Sequence, residues 1–236
     1  MYDMRYLLSC WVDWDALPAQ SYVRGIPAIA SMGTVNFAGN VTFFVGENGS
    51  GKSTLLEAIA MAFGFNLEGG TRNFAFSTYE HTTELGEALR TQRGGRRPQA
   101  GYYFKAETFL NVARMATIEY LDPRFNYAEM SHGEGFLAFM QSVKREGLFL
   151  MDEPEAALSP QRQLTLLLYL HQRAQTGSQF IIATHSPILL GLPGAQILRF
   201  DDAISECEYE ETDPYQITKM FMDDREGFLH HLFDEG

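Results

Sequence analysis

The segment Gly46-Glu47-Asn48-Gly49-Ser50-Gly51-Lys52-Ser53-Thr54 satisfies the pattern G-x-x-x-x-G-K-[ST]. Each residue type has a chemical reason to stand where it does. The glycines let backbone N–H groups turn inward as an anion nest, and a helix starting at Lys52 would aim its positive end at the same point. Lys52 is placed to reach β- and γ-phosphates, and the Ser53 hydroxyl to serve as a Mg²⁺ ligand. A strand-to-helix turn that was merely rich in glycine would not need Lys and Ser at those offsets. The pattern alone leaves small-molecule kinases, GTPases and motor ATPases open.

A second constellation supplies carboxylates. Leu148-Phe149-Leu150-Met151 is uncharged and stops at Asp152-Glu153, followed by Pro154. An apolar strand that ends on two acids delivers them to the C-terminal edge of an α/β sheet, where ligands bind. Asp152 can hold Mg²⁺ through water, and Glu153, pointing the other way, can act as general base toward an attacking water. The bland alternative is a helix N-cap with one solvated acid. His185 follows a third apolar run, Gln179 to Thr184, and precedes Ser186-Pro187. From there it can hydrogen-bond a γ-phosphate or orient the water beside Glu153.

The elements that must position these residues can be read from the same sequence. Val41 to Val45 is a β-branched and aromatic run, and Leu55, Leu56, Ile59, Ala60 and Phe63 then recur at helical spacing. Pro160 opens a second helix, whose apolar positions are read as Leu164, Leu167 and Leu168, with His171 beyond them. Uncharged strands alternating with helices predict an α/β fold: a mostly parallel sheet covered by helices on both faces. Before Val41 there is room for an N-terminal antiparallel β portion, with Tyr6-Leu7-Leu8 one candidate strand and Ile26 to Met32 a less distinct one. Beyond Ile197 to Phe200, Cys207 to Glu210 reads as an edge strand, and Ile217 to Met222 and Phe228 to Phe233 as short closing helices.

The chain has 236 residues, of which 45% are hydrophobic, enough to fill the core of one large domain spanning 1–236. Its net charge of −12 repels phosphate backbones and anionic lipid, so any nucleic-acid contact must be local or made by a partner. One run departs from this: Arg90, Arg93, Arg96 and Arg97 surround Gly94-Gly95 and predict a flexible basic loop over 90–98. Such a loop could meet nucleic acid or an acidic partner, or be merely solvated. Cys10 and Cys207 have neither disulfide nor zinc spacing, and His81, His171, His230 and His231 show no metal-ligand spacing. With no secretion signal and no stretch approaching ~20 apolar residues, the expectation is a cytoplasmic protein without membrane insertion.

Asp152 to Ser159 resembles the Walker B motif and D-loop of ABC-type P-loop ATPases, with Gly46 to Thr54 as the Walker A loop. Ala183-Thr184-His185-Ser186-Pro187 is similar to their switch-histidine loop, and Ser131-His132-Gly133-Glu134-Gly135 to their signature motif. The order is that of the family and covers Gly46 to about Pro187. His132 and Glu134 stand where the signature usually has Gly and Gln. The glutamine of the Q-loop has no clear counterpart, with Glu107 and Gln99 the nearest candidates. The segment Gly101 to Phe109 and the tail after Tyr209 narrow the resemblance to small bacterial predicted ATPases near the RecF and structural-maintenance-of-chromosomes branch. Tyr22 and Arg24 lie where such proteins often contact adenine, although a structural role suits both.

The resemblance implies ATP and Mg²⁺ as ligands and a composite site. One subunit supplies Walker A and Walker B, and a second copy, joined head-to-tail on ATP binding, presents Ser131, Gly133 and Glu134 to the γ-phosphate. The function it implies is a soluble ATPase acting on an unidentified protein partner, in nucleic-acid maintenance or defence. The rivals are the nucleotide-binding subunit of an ABC transporter, an ATP-binding regulatory module with little turnover, and a P-loop small-molecule kinase.

Overall fold

The computed structural model describes residues 5–67, 70–71, 83–105 and 131–234. Two sheets carry the described residues. The larger is ordered β10-β9-β3-β8-β7-β6-β4, from β3 (Val41–Val45), β4 (Gly70–Thr71), β6 (Ala100–Lys105), β7 (Gly147–Asp152), β8 (Gln179–Ala183), β9 (Gln196–Phe200) and β10 (Ile204–Glu206). Its five central strands are parallel, and the two edge strands are antiparallel to their neighbours. The smaller sheet, β2-β1-β5, is antiparallel and consists of β1 (Leu7–Val12), β2 (Val35–Asn36) and β5 (Leu89–Arg93). The predicted α/β class with an antiparallel β portion is therefore observed.

Every residue of β3 and β8 is buried, which explains why these runs carry no alternation of polar side chains. The period of two instead divides them between two cores. Phe44, Leu148, Leu150, Ile181, Ala183 and Leu198 face a core with α2 (Lys52–Phe63), the small sheet and α3 (Glu84–Ala88). Phe43, Val45, Phe149, Met151, Phe180 and Ile182 face a second core with α4 (His132–Ser142), α5 (Pro160–Gln175) and α6 (Pro187–Leu190). The phosphate-loop helix and the signature helix thus cover opposite faces of one sheet. Two buried glutamines join the layers. Gln179 accepts from the backbone N–H of Tyr6 and Leu7 and donates to the Leu7 carbonyl, and Gln196 accepts from Ala38 N–H and the Thr42 hydroxyl. Each satisfies backbone groups that would otherwise be orphaned where the sheets meet.

Four expectations need correction. Ile26 to Met32 is helical rather than extended, since Pro27 opens the short helix α1 (Pro27–Ala30). Arg90 to Arg93 is not part of a flexible loop: it lies in β5 and pairs with β1, and only 94–99 connects β5 to β6. The edge strand beside β9 is Ile204–Glu206, while Cys207 lies beyond it and Tyr209–Glu211 forms a 3-10 turn. On α5 the buried side chains are Leu166 and Leu170, whereas Leu164 and Leu168 are 54% and 57% exposed. Helix periodicity permitted either stripe there, and the sheet selected one. The closing helices occur as read, α7 (Asp213–Asp223) and α8 (Arg225–Asp234). His81 and Glu107 fall outside the described residues.

Candidate functional site

The phosphate loop connects β3 to α2 in a conformation that requires its glycines. Gly46 has φ +145°, and a Cβ there would lie 2.4 Å from the Phe200 carbonyl oxygen. Gly51 has φ +102°, and a Cβ there would meet Ile26 and Ile29 at 2.9 and 3.0 Å, so the segment carrying α1 packs directly onto the loop. Glu47, Asn48 and Gly49 are exposed, while Gly51 and Lys52 are buried. The Lys52 ammonium donates to the Gly46 and Glu47 carbonyls, each at 2.7 Å. Burial pushes its pKa down, and the carboxylates of Glu153 and Asp152 work against that shift. A triphosphate arriving at the loop would exchange two carbonyl contacts of this lysine for charged ones.

Three neighbouring strand ends bring the remaining chemistry together. In the order β3-β8-β7, the loop, His185 and the acidic pair follow one another along the C-terminal edge of the sheet. The Ser53 hydroxyl donates to Asp152 Oδ1 at 2.9 Å, so the first turn of α2 touches the end of β7. Burial raises the Asp152 pKa to about 6, against the lowering effects of the Ser53 hydrogen bond and Lys105. Two hard oxygen donors side by side, one a carboxylate whose burial disfavours its bare anion, suit Mg²⁺, which takes one or two protein oxygens and completes its shell with water and phosphate. Among the described residues no group of three or more His, Cys, Asp or Glu side chains could hold a metal ion.

Glu153 leaves the sheet abruptly. It has φ 47° and ψ 53°, the left-handed region, and among the described residues it is the only non-glycine residue with positive φ. Pro154 constrains it from one side, and its N–H donates to the Ala183 carbonyl at 2.9 Å on the other. Backbone strain of about 1–3 kcal/mol at such a residue persists only where the surroundings hold it, and it concentrates at working sites. The side chain is half-exposed, and Oε1 lies 3.9 Å from His185 Nε2, a buried ring nitrogen with no hydrogen-bond partner.

Glu155 joins the site only in the folded structure. It lies in the 3-10 turn Pro154–Ala157, and its carboxylate accepts from the His185 backbone N–H at 2.6 Å. Burial raises its pKa, partly offset by that hydrogen bond and one from the Thr184 hydroxyl. Nearby, the Ser186 hydroxyl donates to Gln163 Oε1 at 2.6 Å and the Gln163 amide to the Leu158 carbonyl at 3.1 Å. The loops after β7 and β8 are therefore fixed to each other. The only signal in the sequence was a further acid two positions after Glu153, which no local rule distinguishes from a solvated one.

The signature segment has a different environment. Ser131 is the N-cap of α4, and both its N–H and its hydroxyl donate to Glu134 Oε2, at 3.0 and 2.7 Å. Arg162 of α5 donates to the Ser131 hydroxyl at 3.1 Å and to Glu134 Oε1 at 2.6 Å. The Ser131 hydrogen bonds first, and then Arg162, hold the Glu134 carboxyl below its usual range. A Cβ on Gly133 would lie 2.6 Å from the Ala157 carbonyl, so this glycine lets α4 approach the turn after the acidic pair. Tyr22 is 62% exposed on the 3-10 turn before α1, whereas the Arg24 guanidinium is committed to the Trp14, Leu17 and Pro18 carbonyls.

Two family models and two solved structures resemble part or all of this chain. A family model described as "AAA domain" matches residues 23–126, which include the phosphate loop. A second, described as "AAA domain, putative AbiEii toxin, Type IV TA system", matches residues 122–191, which include the signature segment, the acidic pair and His185. Among solved structures, cbiO1 from Clostridium perfringens, part of the ABC transporter complex cbiONQ, aligns with a TM-score of 0.52 at 14% identity, covering 98% of this chain and 99% of that one. The SMC head domain from Thermotoga maritima aligns with a TM-score of 0.47 at 16% identity, covering 86% of this chain and 99% of that one. No curated protein matches the chain significantly. The fold is that of the ABC-type P-loop ATPases, and two AAA-domain models match successive parts of the chain. Among the described residues no helix is long and apolar enough to cross a membrane.

Proposed function

We propose that residues 1–236 form one ATPase domain, which binds ATP with Mg²⁺ and hydrolyses it as a head-to-tail dimer to drive changes in a partner. The observation that carries this reading is the Ser53–Asp152 hydrogen bond, with the Glu153–His185 pair at the neighbouring strand ends. The loop amides and Lys52 hold the β- and γ-phosphates. Ser53 and Asp152 would hold Mg²⁺, which when bound neutralises phosphate charge and lowers the electrostatic barrier to attack on phosphorus. Glu153 takes a proton from the attacking water as its oxygen bonds to the γ-phosphorus and the bond to the ADP oxygen breaks. His185, fixed through its backbone by Glu155, orients that water or the γ-phosphate.

The dimer is supported by the division of the sheet. α2 and α4 cover opposite faces, and the Ser131 cap is tied to α5. A helix N-terminus so placed suits the nucleotide of a second copy better than its own. Action in nucleic-acid maintenance or defence draws on the sequence resemblance and, for defence, on the description of the model matching 122–191. The fold match to cbiO1 favours a second reading, a transporter's ATP-binding subunit, in which the same ATP site would serve a membrane partner. Stoichiometric co-purification of a membrane protein would select that reading.

The test is Glu153→Gln, studied by size-exclusion chromatography with light scattering and by phosphate release. A monomer without nucleotide, a dimer with ATP and Mg²⁺, and no dimer with ADP are expected. Hydrolysis at the wild-type rate would remove Glu153 as base, and lost hydrolysis without an ATP-dependent dimer would remove the shared site.

A further inference from the structure

The arginine run finds a use at the other end of the sheet. β6 and β7 are parallel, with Ala100 opposite Gly147, so the 94–99 connection and the residues before Gly147 lie together at the N-terminal edge. The phosphate loop, Asp152 and His185 lie at the C-terminal edge, one strand length of roughly 17 Å away. Tyr6, Phe63, Arg93, Gly94, Gly95, Arg96, Arg97 and Pro98 line a cavity of about 380 Å³ at the N-terminal edge.

The turn that forms this cavity is tied to its neighbours. Gly94 N–H donates to the Tyr6 carbonyl at 3.0 Å, and a Cβ on Gly94 would overlap the Arg5 carbonyl oxygen, so the turn is fixed to the start of β1. The Arg93 guanidinium lies 4.5 Å from the centre of the Phe63 ring and donates to the Ala62 carbonyl. Arg96 pairs with Glu146 at 3.0 Å. Arg173 donates to the Lys144 and Arg145 carbonyls, and burial pushes the Tyr6 hydroxyl pKa up, with Arg96, Glu146 and Arg173 as lesser influences. Arg97, Lys144 and Arg145 are exposed around the same edge. Six of the chain's 18 Lys and Arg thus gather there, in a protein whose net charge is −12.

We propose that this cavity is a second anion site, distinct from the ATP site, and that its ligand is a phosphate ester. Guanidinium forks match the geometry of phosphate oxygens, and the volume falls within the range of small-ligand pockets, which is about 300–1,000 Å³. The Phe63, Tyr6 and Pro98 walls favour a phosphate carrying an organic group over bare inorganic phosphate. A small phosphate ester and one nucleotide of a nucleic-acid strand both carry such a group, and the same side chains would meet either.

Two probes separate these sources: ribose 5-phosphate by calorimetry, and a fluorescein-labelled single-stranded oligonucleotide by anisotropy across a salt series. Each is measured with the full wild-type chain, Arg97→Ala, Arg97→Glu and Lys52→Ala, with folding checked by circular dichroism. At least one probe is expected to bind wild type and Lys52→Ala alike and to weaken by about tenfold or more in Arg97→Glu, with ATP-analogue binding unchanged in that variant. If the oligonucleotide is the ligand, Arg97→Ala also lowers the salt slope by about 0.7. Binding of ribose 5-phosphate alone identifies a small-ester site. The proposal is overturned if neither probe binds, if Arg97→Glu binds both like wild type, or if only Lys52→Ala loses binding.

Discussion

The two edges of the parallel sheet would hold phosphate by opposite means. At the C-terminal edge one buried lysine stands among Asp152, Glu153 and Glu155, and attraction comes from loop amides, a helix end and an added metal ion. At the N-terminal edge the attraction comes from exposed guanidinium and ammonium groups around the β5–β6 turn. Under the proposed mechanism, an edge with acids beside its glycine-rich loop would bind and also react, because Glu153 would stand as a base beside the attacking water. An edge made of arginines can only bind. The first should depend on Mg²⁺ and pH and little on salt, and the second on salt alone.

The largest effect that would break this comparison concerns the reacting edge. Glu153→Gln should lower phosphate release by roughly 10²–10⁴ with ATP affinity retained, because the isosteric amide removes only the base. Next, Lys52→Ala should weaken binding of a fluorescent ATP analogue by roughly 10- to 100-fold, the worth of a charged hydrogen bond to phosphate, and leave the Arg97 edge unaffected. Near-normal affinity in the folded variant would show that Gly46 to Ser53 is not the nucleotide site.

Glu155→Ala leaves the half-buried His185 N–H without its acceptor, at a cost of about 1–3 kcal/mol. Turnover should fall by about tenfold while ATP affinity holds, and Glu155→Gln, which keeps an acceptor, should restore most of it. An equal loss in both variants would assign the carboxylate's charge, rather than its hydrogen bond, to the effect. The smallest effect is on pH. Because burial raises Asp152 to about 6, protons compete with Mg²⁺ below that value, so Mg²⁺-dependent ATP affinity should fall about fourfold between pH 7.5 and 5.5. The sign for the nucleotide-free protein is opposite. A carboxyl whose folded pKa lies above its unfolded value favours the folded state when protonated, so its contribution is lost as pH rises from about 4 to about 6. Thermal melts with and without ATP and Mg²⁺ across this range would read both.

Much of the geometry of the C-terminal edge was legible in the sequence because it is encoded at fixed local offsets. Gly46 and Gly51 need positive φ, Lys52 and Ser53 follow at once, and an uncharged strand must stop where Asp152 begins. The same local logic predicted a parallel sheet from runs such as Val41 to Val45, whose ten side-chain faces across β3 and β8 are all buried. The tertiary structure alone decided matters that depend on what packs against what. Helix period left Leu164 and Leu168 as good a stripe as Leu166 and Leu170 until the sheet chose. Arginine content suggested a loose loop, but β1 supplied a partner strand and Phe63, Ala62 and Glu146 supplied partners for the side chains. Glu153 carries no sign in the sequence of a left-handed backbone, which the Ala183 carbonyl on a neighbouring strand helps to hold. Glu155 became a fixing residue only because β8 brings the His185 amide to it, thirty positions away in the chain. Backbone preferences and short spacings are local and can be read along the chain, whereas burial, pairing and strain are set by residues far apart in it.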